Sequence, residues 1–116
     1  MELFIFSEEE QAYTAEIDKI KFICEEVQDV YEETAREIAD VYEDKLLELA
    51  EFILSDVGDM FGDITAKDIA ESLGEPLVDL DRDTVTYLEH TLDDVHIIEV
   101  EYEGAFEDFL GVSVDG

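Results

Sequence analysis

The sequence predicts an α+β fold, an antiparallel sheet with one long amphipathic helix and one short helix, and three observations carry that prediction. Residues 31–56, "YEETAREIADVYEDKLLELAEFILSD", repeat apolar positions at helical steps with no proline or glycine. "DITAKDIAESLG" contains a complete helix-start signature. From Leu77 onward the apolar period changes from helical to alternating, the pattern of half-buried strands. Of the 116 residues 47% are hydrophobic, and they are patterned rather than clustered. One acidic α+β domain over residues 1–116 is therefore expected, not an acidic disordered tail.

In chain order, "MELFIF" reads as a short strand closed by Ser7. Residues 11–26, "QAYTAEIDKIKFICEE", admit two readings. Tyr13, Ala15 and Ile17 alternate, as do Ile20, Phe22 and Cys24, with Asp18-Lys19 between them as a tight turn. The same stretch also puts Tyr13, Ile17, Ile20 and Cys24 on one helical face. The hairpin is favoured because β-branched and aromatic residues dominate "IKFI", although Asp-Lys lacks the glycine of a good two-residue turn. The long helix is expected to start at an Asp29 cap with Glu32 in the reciprocal capping-box position, and to stop at Gly58. Tyr31, Ala35, Ile38, Tyr42, Leu46, Leu49 and Ile53 form its buried stripe. The short helix takes Thr65 as N-cap, Asp68 as its partner and an Ile64–Ile69 staple, and Gly74 and Pro76 end it. "TVTYL", "VHIIEVEY" and "FLGVSV" read as strands, with "GAFED" as the last connection. Val85 and Tyr87 share a face, as do Val95 and Ile97, and Ile98, Val100 and Tyr102 take the opposite face of their strand.

Charge bounds the function more tightly than any motif. Thirty-five acidic against six basic side chains give a net charge of −29. Self-repulsion of that size destabilises the compact state and makes stability depend on salt. Nucleic acid and anionic membrane surfaces are excluded as partners, because binding them needs Lys and Arg to displace counterions. No apolar run approaches the ~20 residues that span a bilayer, and "MELFIF" lacks a basic n-region. A cytoplasmic location is expected, the host cytoplasm if the gene is carried by a phage. A lone cysteine, Cys24, sits in the apolar run "KIKFIC" and reads as a buried, inert thiol.

Catalytic signatures are missing from the sequence. His90 and His96 flank "TLDDV", but no spacing matches a zinc site. There is no glycine-rich phosphate loop, no nucleophile motif and little positive charge to hold an anionic substrate. Asp79, Asp81 and Asp83 have the first three spacings of a calcium loop, yet Thr84 and His90 stand where glycine and a bidentate glutamate belong. That stretch reads as a polar hairpin turn between two strands. No catalytic residue, metal or cofactor is expected.

What remains is the outward face of the long helix. Glu33, Glu37, Asp40, Asp44, Glu48 and Glu51 follow steps of three and four, which keeps them on one side, opposite the apolar stripe. The row is about 27 Å long at 1.5 Å per residue, the length of about eight base pairs of one phosphate strand. Like charges three or four residues apart cost about 0.2–0.5 kcal/mol per pair, so the row costs on the order of 1–2 kcal/mol. Only Arg36 and Lys45 relieve it. A coat adapted to molar salt is an alternative, but lysine exceeds arginine and isoleucine is abundant, unlike the usual composition of such proteins.

In size, net charge and the carboxylate row "EETAREIADVYEDKLLELAE", the chain resembles the small acidic inhibitors that imitate nucleic acid, of the phage anti-restriction and anti-CRISPR type. It is also similar in charge to immunity proteins of nuclease toxins, and "EYEGAFEDFLGVSVDG" looks like the closing strands of small bacterial α+β domains found beside toxins. The resemblance implies an inhibitor that occupies the basic groove of a nucleic-acid-binding protein or nuclease. Glu33, Glu37, Asp40, Asp44, Glu48 and Glu51 would meet that partner, with Asp93 and Asp94 as a second patch.

Overall fold

The computed structural model describes residues 3–57, 64–88 and 97–115, and there the α+β prediction holds: a seven-stranded sheet with two helices. The strands are β1 (Ile5–Ser7), β2 (Ala12–Ile17), β3 (Ile20–Cys24), β4 (Leu77–Asp79), β5 (Thr84–Tyr87), β6 (Ile97–Glu103) and β7 (Asp108–Asp115). They lie side by side in chain order. Helices α1 (Tyr31–Val57) and α2 (Ala66–Ser72) fall between β3 and β4. No helix among the described residues is long and apolar enough to cross a membrane.

The sheet is antiparallel except at its centre, where β3 and β4 run parallel with Phe22 opposite Val78. The expected antiparallel sheet thus contains one parallel pair. A strand that leaves through two helices and returns beside itself can re-enter parallel, which a short hairpin cannot do. Backbone bonds extend the parallel ladder at both ends, from Lys21 N–H to the Pro76 carbonyl (3.1 Å) and from Leu80 N–H to the Ile23 carbonyl (3.0 Å).

Between the two readings of residues 11–26, the structure takes the hairpin. Tyr13 pairs with Cys24 and Ile17 with Ile20, leaving Asp18 and Lys19 as the turn with φ of 50° and 71°. Both turn residues are left-handed, as a tight hairpin demands, and neither is glycine. Relieving this should stabilise the fold: Lys19→Gly is expected to raise the unfolding free energy by about 1 kcal/mol in a urea melt.

The helices show how far local signals reach. Thr65 caps α2 as predicted: its hydroxyl accepts from Asp68 N–H (3.1 Å), and the Asp68 carboxylate accepts from Thr65 N–H (3.0 Å). At α1 the cap moves by one residue. The Val30 carbonyl takes the first helical bond, from Thr34 N–H (2.9 Å), so Val30 holds the cap position predicted for Asp29. Gly58, the expected stop, lies outside the described residues, and α1 runs to Val57.

Ala35, Ile38, Leu49, Ala50 and Ile53 of α1 are fully buried, and Tyr31, Tyr42 and Leu46 pack against the same core. The sheet answers with Phe22, Val78, Val85, Tyr87, Ile98, Val100 and Tyr102. Val85 and Tyr87 face inward, as do Ile98, Val100 and Tyr102, while Ile97 is exposed; Val95 lies outside the described residues. Glu99, Glu101 and Glu103 alternate with the inward set of β6, and Arg82 pairs with Glu99 at 3.0 Å.

Candidate acidic interface

Helix α1 buries one face in the core and presents the other to solvent, and this sorts its side chains by sign. Glu33, Glu37, Asp40, Asp44, Glu48 and Glu51 are all exposed, as the row requires. Glu32, Glu43 and Asp56 are exposed on the same helix and broaden the row into a band. They lie off its three-and-four stepping, although their positions beside the apolar stripe already marked them as surface. Relief of the repulsion is sparse. Arg36 reaches Glu32 at 3.0 Å and Lys45 reaches Glu48 at 3.2 Å. Both pairs are local and solvent-exposed, the kind that contributes least. Among the described residues, Glu33, Glu37, Asp40, Asp44 and Glu51 make no ion pair.

The band continues off the helix. A groove of about 710 Å³ is bounded by Asp40, Glu43 and Asp44 on α1 and by Asp18, Lys19 and Glu75 across from it. Leu47, half exposed at 50%, stands within the acidic face, and Val30, 59% exposed, marks its N-terminal end. Such a surface offers charge for attraction and isolated apolar contacts for fit. Asp93 and Asp94, the expected second patch, lie outside the described residues, as do His90 and His96.

The Asp79–Asp83 stretch forms the predicted hairpin turn, between β4 and β5. Its carboxylates serve the fold. Asp79 Oδ1 accepts from the backbone N–H of Asp81 (3.0 Å) and Arg82 (3.1 Å), closing the turn. Asp81 Oδ2 accepts from Glu25 N–H (2.6 Å) and its Oδ1 from the Tyr31 hydroxyl (2.8 Å), tying the start of α1 to the sheet. Burial, with that carboxylate as second cause, pushes the Tyr31 phenol up to about 12. No three His, Cys, Asp or Glu side chains among the described residues come together as a metal-ligand group. Asp81→Ala should lose both ties and cost about 1–3 kcal/mol in a denaturant melt.

Cys24 is buried, 1% exposed. Burial first, then the charges of Asp81 and Asp79, push its thiol up to about 11. The native thiol is therefore protonated at neutral pH and shielded from reagents. Labelling by a disulfide reagent at about pH 8 should be silent in the folded protein and track unfolding when denaturant is added.

The arrangement can attract and hold cations along about 27 Å of helix. Searches against protein-family models, curated proteins and solved structures match nothing to this chain.

Proposed function

We propose that the protein is an acidic inhibitor that imitates nucleic acid and blocks the basic groove of a DNA- or RNA-binding protein or nuclease, and that it is not an enzyme. The observation that carries this reading is the exposed carboxylate row of α1, five of whose six members have no ion pair among the described residues. Unpaired carboxylates at regular spacing stand in for phosphates and meet Arg and Lys that otherwise contact a nucleic-acid backbone. Long-range attraction accelerates encounter, and Leu47 and Val30 supply contacts that charge alone does not. The partner is a basic protein in the cytoplasm, and neither nucleic acid nor membrane is bound directly.

The test is a pull-down from bacterial lysate with the tagged protein at ~0.15 M salt, close to the physiological screening length, with and without excess duplex DNA. Capture of a basic nucleic-acid-binding protein that DNA displaces supports the proposal. Capture that DNA leaves unchanged, or no specific capture, overturns it.

A further inference from the structure

β7 closes one side of the sheet: it pairs with β6, and no strand among the described residues lies beyond it. The Tyr102 N–H donates to the Asp83 carbonyl at 2.9 Å, so Tyr102 and, by alternation, Val100 and Ile98 turn their backbone groups toward β5. Ile97, Glu99 and Glu101 therefore turn theirs toward β7, where they face Asp115, Ser113 and Gly111. That leaves Val112 and Val114 with N–H and C=O directed outward, away from β6. They lie beyond the bulge at Glu101/Tyr102, where the register is regular.

An edge of this kind is a template for another strand, and proteins ordinarily guard such edges with charge, proline or brevity. The opposite edge is guarded: β1 has three residues and runs into Glu8, Glu9 and Glu10. β7 has eight, and its stretch FLGVSV carries no charge in a chain that is 35% charged.

The two faces that flank this edge define the strand that fits it. On the side of α1, Phe109, Val112 and Val114 are half-buried, and the Phe52 ring of the helix lies 6.0 Å from that of Phe109 between centroids. An added strand would extend that apolar face. On the other side the register sets Gly111, Glu101 and Thr84 in one row across β7, β6 and β5, lining a depression of about 500 Å³. A Cβ on Gly111 would meet nothing within 4 Å, so the way to Glu101 is open. Glu101 and Glu103 are exposed and make no ion pair among the described residues. Thr84, only 6% exposed, has a hydroxyl with no hydrogen-bond partner. Side chains of a strand point alternately to opposite faces, so the complementary strand alternates apolar with basic residues. A second copy of β7 lacks the basic set and would bring two chains of −29 together.

We propose that β7 takes up an extended segment of the basic partner as an antiparallel eighth strand. Its backbone pairs with Val112 and Val114, and a lysine or arginine lies across Gly111 to the Glu101 carboxylate. This rests on the reading of the partner as a basic protein, and names the element of that partner that is recognised.

The test titrates the full chain with a capped ten-residue peptide of alternating lysine and valine at ~0.15 M salt, observed by amide NMR and hydrogen exchange. Saturable binding is expected, with exchange of the Val112 and Val114 amides slowed at least about tenfold. Antiparallel pairing sets peptide valines opposite Val112 and Val114, so methylating the valine nitrogens should weaken binding at least about tenfold. Gly111→Lys, which puts an ammonium in the path to Glu101, should weaken it about threefold or more. A peptide with glutamate in place of lysine should not bind. Absence of binding, protection elsewhere than β7, or equal binding of the methylated peptide would overturn the proposal, as would indifference to Gly111→Lys. Protection of Val112 and Val114 that grows with protein concentration alone would also overturn it, since a second copy would then hold the edge. The peptide probes β7 without the partner, so a failed titration leaves the carboxylate-row reading standing, and a failed pull-down leaves a positive titration standing.

Discussion

Replacing Glu37, Asp44 and Glu51 together by lysine is expected to abolish partner binding while leaving the protein at least as stable as before. Each substitution exchanges an exposed, unpaired carboxylate for an ammonium. At an interface with a basic groove, three attractive contacts become repulsive ones, and like charges across an interface cost several kcal/mol. A loss of at least about a thousandfold in affinity, roughly 4 kcal/mol, is the expected readout by calorimetry or competition. The same triple change converts every step of the row, from Glu33 to Glu51, from like to unlike charge. Glu33 would precede Lys at 37 and Asp40 would precede Lys at 44, the favourable orientation for helical ion pairs. Roughly 1–2 kcal/mol of added stability follows, discounted for solvent exposure. Binding and stability therefore move in opposite directions, so lost binding cannot be assigned to misfolding. Retained binding by a folded triple variant would remove α1 as the contact face.

Salt separates the two contributions further. Screening should raise the melting temperature of the parent protein, with −29 charges to relieve, more than that of the triple variant. It should also slow association of parent and partner steeply, since steering falls with ionic strength. A protein that unfolds altogether without molar salt would point instead to the salt-adapted coat.

How much of this was legible in the sequence depends on the range of each interaction. The Thr65–Asp68 capping box was readable because both partners lie within four residues. The exposure of the row was readable because helical period and the apolar stripe together fix the outward face. The Asp18-Lys19 turn was nearly readable: alternation on either side proposed it, while the helical spacing of Tyr13, Ile17, Ile20 and Cys24 and the missing glycine argued against it. Distant pairings left no local trace. β4 has three residues, too few to display a period, and its parallel register with β3 is set by a crossover of two helices. The hold of Asp81 on Glu25 N–H and Tyr31 spans 56 and 50 positions. Phe106 shows the same limit most plainly, because "GAFED" has the composition of a connection, and yet its phenylalanine is core.

Phe106→Ala should be the most damaging single substitution in the β6–β7 turn. The side chain is fully buried, with its ring 4.8 Å from Tyr102, 5.7 Å from Phe109 and 6.0 Å from Tyr42 between ring centroids. It thus joins both strands of the hairpin to α1. Its backbone has φ of 62°, a left-handed conformation that a bulky residue adopts only when the surroundings enforce it. Alanine keeps that strain and forfeits the ring, so nothing offsets the cavity. Removing a buried phenylalanine costs about 3–5 kcal/mol, against the 5–15 kcal/mol typical of a whole domain. For a chain of this size the midpoint should fall by roughly 10–25 °C, and partial rescue by added salt is expected because the remaining stability works against charge repulsion. Phe106→Gly separates the two contributions: it loses the same ring but relaxes the backbone, and should recover about 1 kcal/mol relative to alanine. Phe106→Leu, which keeps most of the apolar volume, should lose far less than either. A loss below about 1 kcal/mol for Phe106→Ala would mean that the turn does not anchor in the core. The β6–β7 turn would then also be free of α1, because the ring that joins it to Tyr42 of that helix is Phe106.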